Sequence, residues 1–289
     1  MSASGQKAVI HPITAEDVPQ VADFLHKHMN DKFSPQEWQQ GLNASWYYGA
    51  PNHGFMLCTG QDVVGAICAL YSEQEVDGES KIFCNPHTWC VLEPYRNNSV
   101  SLVLSVIRQE NMHYSMYSPN SEGEEIFSYL GFKPLSREMC VLLNIPGPRL
   151  SSSIAVSSDL ENSIGRLSPR DRQSVEDHRG FPWLHFVFYG CDGNDGFLIF
   201  KKEKFKKLPC AYLLYVSNKS VFGPCWGAIR TMLFLRHGMF TTKTERRLLN
   251  SDLPLSFSIA AASAKFYLSD TLSADAFDYT YSELVAMDL

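Results

Sequence analysis

The sequence predicts a mixed α/β protein of two domains on a common plan, each an α+β arrangement around a mixed sheet. Three observations predict it. A strand, cap and helix pattern near the N-terminus recurs in the second half at a constant offset. Each half then places a series of short strands ahead of a helix, and a stretch rich in Pro, Gly and Ser lies between the halves. At 289 residues, 45% hydrophobic and 19% charged, the chain is long enough to bury more than one core.

The elements follow in order. "VIHPITAEDVPQVADFLHKHM" predicts a strand ending at Ile13, then Thr14 as N-cap with Asp17 three residues on, then a helix with Val18, Val21, Phe24 and Leu25 on one face. "GFMLCTGQDVVGAICALYSE" predicts two strands around a Gly60-Gln61-Asp62 turn, and a helix is expected over about 98–111. "NIPGPRLSSSIAVSSDLEN" supplies the linker, dividing the chain into domains at 1–146 and 163–289 with 147–162 between them. "IGRLSPRDRQSVEDH" then repeats the opening pattern, pairing Ile10 with Ile164, Ile13 with Leu167, Thr14 with Ser168, Asp17 with Asp171 and Val21 with Val175. Residues 183–216 predict a further strand series broken by Gly/Asp/Asn and Lys-rich turns, and a helix follows over about 223–237. The ending "DYTYSELVAMDL" predicts a last sheet strand, with Tyr281, Glu283 and Val285 on one face.

Charge and composition narrow the function. Lys+Arg 25 against Asp+Glu 31 gives a net charge of -6, so the broad cationic surface of a nucleic-acid binder is missing. The one basic run, "KKEKFKK", sits between strand-like segments and predicts a solvated hairpin turn. No run of about 18 apolar residues occurs and no secretory segment opens the chain, so a cytoplasmic protein with no membrane partner is expected. The eight Cys lie mostly in apolar runs without zinc spacing, which predicts reduced, buried thiols and no metal site.

"TWCVLEPYRNNSVSLVLSVI" (88–107), followed by "MYSPNSEGEEIFSYLGFKPL" (116–135), resembles the GCN5-related N-acetyltransferase (GNAT) superfamily. The resemblance implies two tandem GNAT-like acyl-CoA acyltransferase domains, the second degenerate. In that family two neighbouring strands splay apart, the acyl-CoA thioester lies in the gap, and the pyrophosphate sits over the next helix's N-terminus, where backbone N–H groups and the helix dipole favour an anion. The family's Arg/Gln-x-x-Gly-x-Gly/Ala turn corresponds to Arg96-Asn97-Asn98-Ser99-Val100-Ser101, with serine at both glycine positions. Val91 corresponds to the residue whose backbone brackets the thioester carbonyl, and Asn120 to the one that holds the cofactor arm.

The resemblance further implies acetyl-CoA or another acyl-CoA as co-substrate and a small-molecule amine as acceptor. The family's tyrosine, the acid for the departing thiolate, is replaced by Phe127. Tyr129, two residues on, points about 200° around the helix, so Tyr117 or Ser118 at the strand end, or water, would have to serve. A general base beside the strand would be His87 or Glu93, and Trp89 packs there or lines the acceptor cleft. An N-acyltransferase is the leading reading. A non-catalytic protein that binds acyl-CoA, a carrier-protein arm or a protein partner is the alternative, to which Ser99, Ser101 and Phe127 point.

Overall fold

A computed structural model describes residues 7–44, 46–47, 49–147, 153–250 and 252–288. The first half contains β1 (Val9–Pro12), α1 (Val18–His28), α2 (Pro35–Leu42), β2 (Gly54–Thr59), β3 (Asp62–Val76) and β4 (Glu79–Val91). A 3-10 turn, Glu93–Asn98, leads into α3 (Ser99–Ile107), and then come β5 (Met112–Met116), α4 (Ser121–Tyr129), β6 (Lys133–Pro134) and β7 (Glu138–Leu143). The second half adds β8 (Ile154–Ser157), α5 (Leu160–Ser163), α6 (Pro169–His178), β9 (His185–Cys191), β10 (Asn194–Phe205) and β11 (Leu208–Val216). After these come α7 (Lys219–Leu235), β12 (Thr241–Glu245), β13 (Ser256–Ala260), β14 (Phe266–Leu268) and α8 (Glu283–Ala286).

Two mixed seven-stranded sheets result, ordered β1-β2-β3-β4-β5-β14-β6 and β13-β7-β12-β11-β10-β9-β8. The plan is shared, yet each sheet takes one strand from the other half. β7 pairs with β12 and β13, while β14 pairs with β5 and β6. Because the apolar run Met139–Leu142 is buried throughout, it suits an interior strand rather than an edge. The division at 147–162 therefore marks a place in sequence, not a border between sheets; β8 begins inside it, and 148–152 lie outside the described residues.

Several local expectations are corrected. Thr14 does not cap α1: its N–H and hydroxyl both donate to the Asp17 carboxylate (2.9 and 2.6 Å), and Asp17 stands at the N-cap, because Pro19 fits the first helical turn. Its counterpart Ser168 does cap α6, accepting the Asp171 N–H at 3.1 Å. The segment before it, Ile164–Arg166, is a 3-10 turn and not a strand. The helix expected over 98–111 ends at Ile107, and the one expected over 223–237 starts four residues earlier, at Lys219. The basic run does form a hairpin, turning at Lys206 and Lys207, both with positive φ. Lys201, however, is buried and donates to the carbonyl of Met287.

The C-terminal segment is the largest correction: 277–288 is a strap and short helix laid between the halves, not a sheet strand. Val285, Ala286 and Met287 are buried, Met287 against Gly41 of α2. The two larger side chains are worth about 1.5–3 kcal/mol each as an upper bound. Polar side chains hold the strap's backbone carbonyls: Tyr117 donates to Asp278 (2.6 Å), Trp183 to Val285 (2.8 Å) and Arg247 to Phe277. These partners come from both halves, so both seat the strap. No helix among the described residues is long and apolar enough to cross a membrane.

Candidate active site

β4 and β5 run parallel and pair over three positions only, Ile82/Met112 to Cys84/Tyr114. Beyond Cys84, β4 continues against β3 as far as Val91, while β5 ends at Met116. Pro86, without an N–H, has no donor to offer a ladder, and the register shift between Cys68/His87 and Ala66/Cys90 inserts an extra residue into β4. Thr88, at this bulge, has a φ of 55°. The two strands therefore part.

Asn85, buried at the parting, ties three elements together. Its amide donates to the Ser115 carbonyl of β5 (3.0 Å), and its oxygen accepts the backbone N–H of Glu283 (2.9 Å). Asn85→Ala would leave both backbone groups without partners. It is expected to lower unfolding stability by about 1–3 kcal/mol, read from the denaturant midpoint.

A cavity of about 740 Å³ passes through the parting. One side is formed by Trp89, Val91, Arg96, Ser99 and Phe127, toward α3 and α4. The other is formed by Cys90, Trp38 of α2 and the end of α1, where Cys90 Sγ lies 3.8 Å from the His28 carbonyl. His87 and Glu283 line it as well.

Solved structures match the chain over most of its length. A GCN5-related N-acetyltransferase from Anabaena variabilis matches with a TM-score of 0.59 at 12% identity, over 90% of this chain and 72% of that one. One from Kribbella flavida matches at 0.58 and 14%, over 92% and 72%. A GCN5-related glucosamine N-acetyltransferase region of a fungal multi-domain GH3 β-N-acetylglucosaminidase matches at 0.57 and 12%, over 92% of this chain and 38% of that one. The fold is that of the GCN5-related N-acetyltransferases. No protein-family model matches the sequence, and no curated protein does.

Within this acetyltransferase fold, the sequence-predicted residues divide. His87, Val91, Arg96, Ser99, Val100 and Asn120 meet in the cavity wall, together with Ser118. Asn97, Asn98 and Ser101 do not line it, and Glu93 is exposed on the 3-10 turn, away from the wall. Tyr117 is corrected too: it is buried between the halves, edge-on to Tyr279, with its hydroxyl committed to the Asp278 carbonyl. Asn120 caps α4, accepting the Gly123 N–H at 2.8 Å. Phe127 is buried against Phe132 and Trp89, and Tyr129 is 89% exposed.

The turn also differs from expectation. No residue from 93 to 101 has positive φ, and the Ser99 N–H is bonded to the Arg96 carbonyl, so the segment enters α3 as continuous helical turns. Serine in place of glycine gives the physical reason, since a side chain disfavours the left-handed conformations an open loop uses. Arg96 and Ser99 nevertheless remain in the wall, and no acidic residue occupies the first turn of α3 to repel an anion.

Glu283 was not among the expected site residues. It is 1% exposed; one carboxylate oxygen accepts from Ser118 Oγ (2.7 Å), and the other, Oε2, has no hydrogen-bond partner. Burial raises its pKa above the usual carboxylate value, against the hydrogen bonds from Ser118 and Asn85. His87 is equally buried, its Nδ1 within 2.6 Å of Thr88 Oγ1 and its Nε2 unpartnered; burial pushes its pKa down to about 3, so it is neutral at physiological pH. Glu283 and His87 thus stand in one cavity wall as a buried carboxyl with a raised pKa and a buried neutral imidazole. The sequence held one signal, a lone acid beside the apolar run Leu284–Met287, but its place depends on the strap.

The second sheet has a matching joint, where β11 and β12 pair over three residues and β11 carries its own register shift. Buried charged side chains occupy that place. Lys265 donates to Tyr212 (2.9 Å) and Tyr279 (2.6 Å) and lies 3.1 Å from Glu245, which also pairs with Arg247. Burial opposes the charge on Glu245, but Lys265 and Arg247 outweigh it and hold the carboxyl below its usual value. Arg247 also donates to the strap at the Phe277 carbonyl.

Proposed function

We propose that the chain is an acyl-CoA-dependent N-acyltransferase, with acetyl-CoA the first candidate donor and an amine the acceptor. One observation carries the reading: a cavity through the parting of β4 and β5 has a helix start with Arg96 and Ser99 on one side and the buried, partly unpartnered carboxylate of Glu283 beside it. Arg96, Ser99, Val100 and Asn120 would hold the CoA arm, and the Val91 backbone is the candidate oxyanion donor. Glu283 takes a proton from the acceptor ammonium. The freed amine attacks the thioester carbon, a C–N bond forms, the C–S bond breaks with its electron pair leaving on sulfur, and the remaining surplus proton on nitrogen passes to the departing thiolate. With an ordinary thiol pKa of about 8.5, the thiolate departs without the missing tyrosine. Holding both reactants in line supplies much of the rate. The second half, its own joint filled by the side chains of Glu245, Arg247 and Lys265, is degenerate as a cofactor site and acts as a seat of the strap.

Calorimetric titration with acetyl-CoA and with CoA tests this. Saturable one-to-one binding is expected, followed by turnover in an amine screen. Two-to-one binding would give the second half a site of its own. Absence of binding at millimolar ligand would refute the reading. Binding without turnover would favour the non-catalytic acyl-CoA receptor, the role to which Phe127 and the glycine-free turn point.

A further inference from the structure

Resting on that reading, we propose that Lys201 of the second half is a positioning residue for Glu283: by holding the far end of α8, it keeps the carboxylate in the cavity of the first half.

Lys201 stands apart from the rest of the basic run. Lys202, Lys204, Lys206 and Lys207 are exposed, whereas Lys201 is 6% exposed. Burial lowers its pKa, against the charges of Asp288, Glu203 and Glu283. A buried ammonium is costly unless its surroundings use it. Here its contacts gather on the end of the strap. Nζ donates to the Met287 carbonyl, lies 3.7 Å from the Asp288 carboxylate and stands 5.8 Å from the centre of the Trp183 ring.

α8 is a single turn of 4 residues, and it transmits this hold. Glu283 begins the turn, and its carbonyl accepts the Met287 N–H at 3.2 Å. Side chains from different halves tie the two ends: Asn85 accepts the Glu283 N–H (2.9 Å), and Lys201 donates to the Met287 carbonyl. So short a helix does not persist unaided. The Asp288 side chain beside Lys201 is 63% exposed, so water is at hand. Deprived of Lys201, the Met287 carbonyl would turn to that water for a donor, and the turn carrying Glu283 would follow.

A purely electrostatic role for Lys201 predicts the opposite change at Glu283. Removing a cation while the carboxylate stays buried raises its pKa further, whereas releasing the carboxylate into water lowers it toward the unfolded value of about 4.3. The direction separates the two roles.

Titration of the Glu283 carboxyl by carbon NMR in the full chain, with its signal assigned by Glu283→Gln, reads that direction. In Lys201→Met the raised pKa should fall toward about 4.3; in Lys201→Arg, which keeps the charge and the donor, it should stay raised. Lys201→Gln is read in the same way as Lys201→Met if the latter does not fold. With an amine that the wild type turns over, Lys201→Met should cost roughly 10²-fold in kcat, the size expected of a misplacement of about 1 Å, with the KM for acetyl-CoA unchanged. Added to Glu283→Gln it should cost nothing more, since Lys201 acts through that carboxylate. A Glu283 pKa unchanged or higher in Lys201→Met, or losses that add in the double variant, would overturn the positioning role and leave the acyltransferase reading standing. The expected fall in pKa, in a protein that binds no acetyl-CoA by calorimetry, would support the role and refute that reading.

Discussion

Glu283→Gln is expected to lower turnover by roughly 10²–10⁴-fold, the usual range for loss of a general base, while acetyl-CoA binds as before. The amide keeps the size of the carboxyl and an oxygen for Ser118 Oγ, so the strap keeps its place. Its pH behaviour makes the test specific. Burial raises the Glu283 pKa, so wild-type activity rises with pH along a limb above the ordinary carboxylate range, and that limb disappears in the variant. Stability runs the other way. A raised folded-state pKa means that the contribution of this group is fully present below the unfolded value of about 4.3 and is lost as pH rises through the folded one. Glu283→Gln should therefore gain stability over the wild type as pH increases past that point, read from paired denaturation curves at pH 4 and pH 8. A variant with full turnover would remove Glu283 from the chemistry.

Ser99→Glu is expected to weaken CoA binding at least a hundredfold, and Asn98→Glu far less. Ser99 lines the cavity and Asn98 does not, although they are adjacent in the chain. Two unit charges about 4 Å apart repel by about 4 kcal/mol at an effective dielectric near 20, and a diphosphate carries more than one. Ser99 begins α3 with its side chain partly exposed, so the fold should tolerate the change. Calorimetry on the two variants checks the contrast. Equal loss in both would mean that the diphosphate lies outside the turn rather than over the cavity; equal retention would place it elsewhere altogether.

Much of the first half was legible in the sequence because its signals are local. The Gly60-Gln61 turn and the helix beginning near Ser99 each depend on residues within one turn or one strand pair, and each is present. The same holds for Ser168 and α6. Where local signals were ambiguous, packing decided. Thr14 and Asp17 fit a cap on paper, but Pro19 sets the helix start three residues later. Tyr117 looked available at a strand end, yet alternation along the chain does not say that the other half will cover it.

The sequence by itself determined a mixed α/β protein with a repeated plan, and the segment from His87 to Asn120 that surrounds the site. The tertiary structure alone decided that β7 and β14 change sheets, that the second joint is filled by Glu245, Arg247 and Lys265, and that Glu283 reaches the cavity of the first half. The physical reason is range. Caps, turns and apolar periods are fixed by neighbours a few residues apart, whereas the Glu283 N–H meets Asn85 across 198 positions. Its pKa is set by burial, which exists only after both halves have closed on the strap.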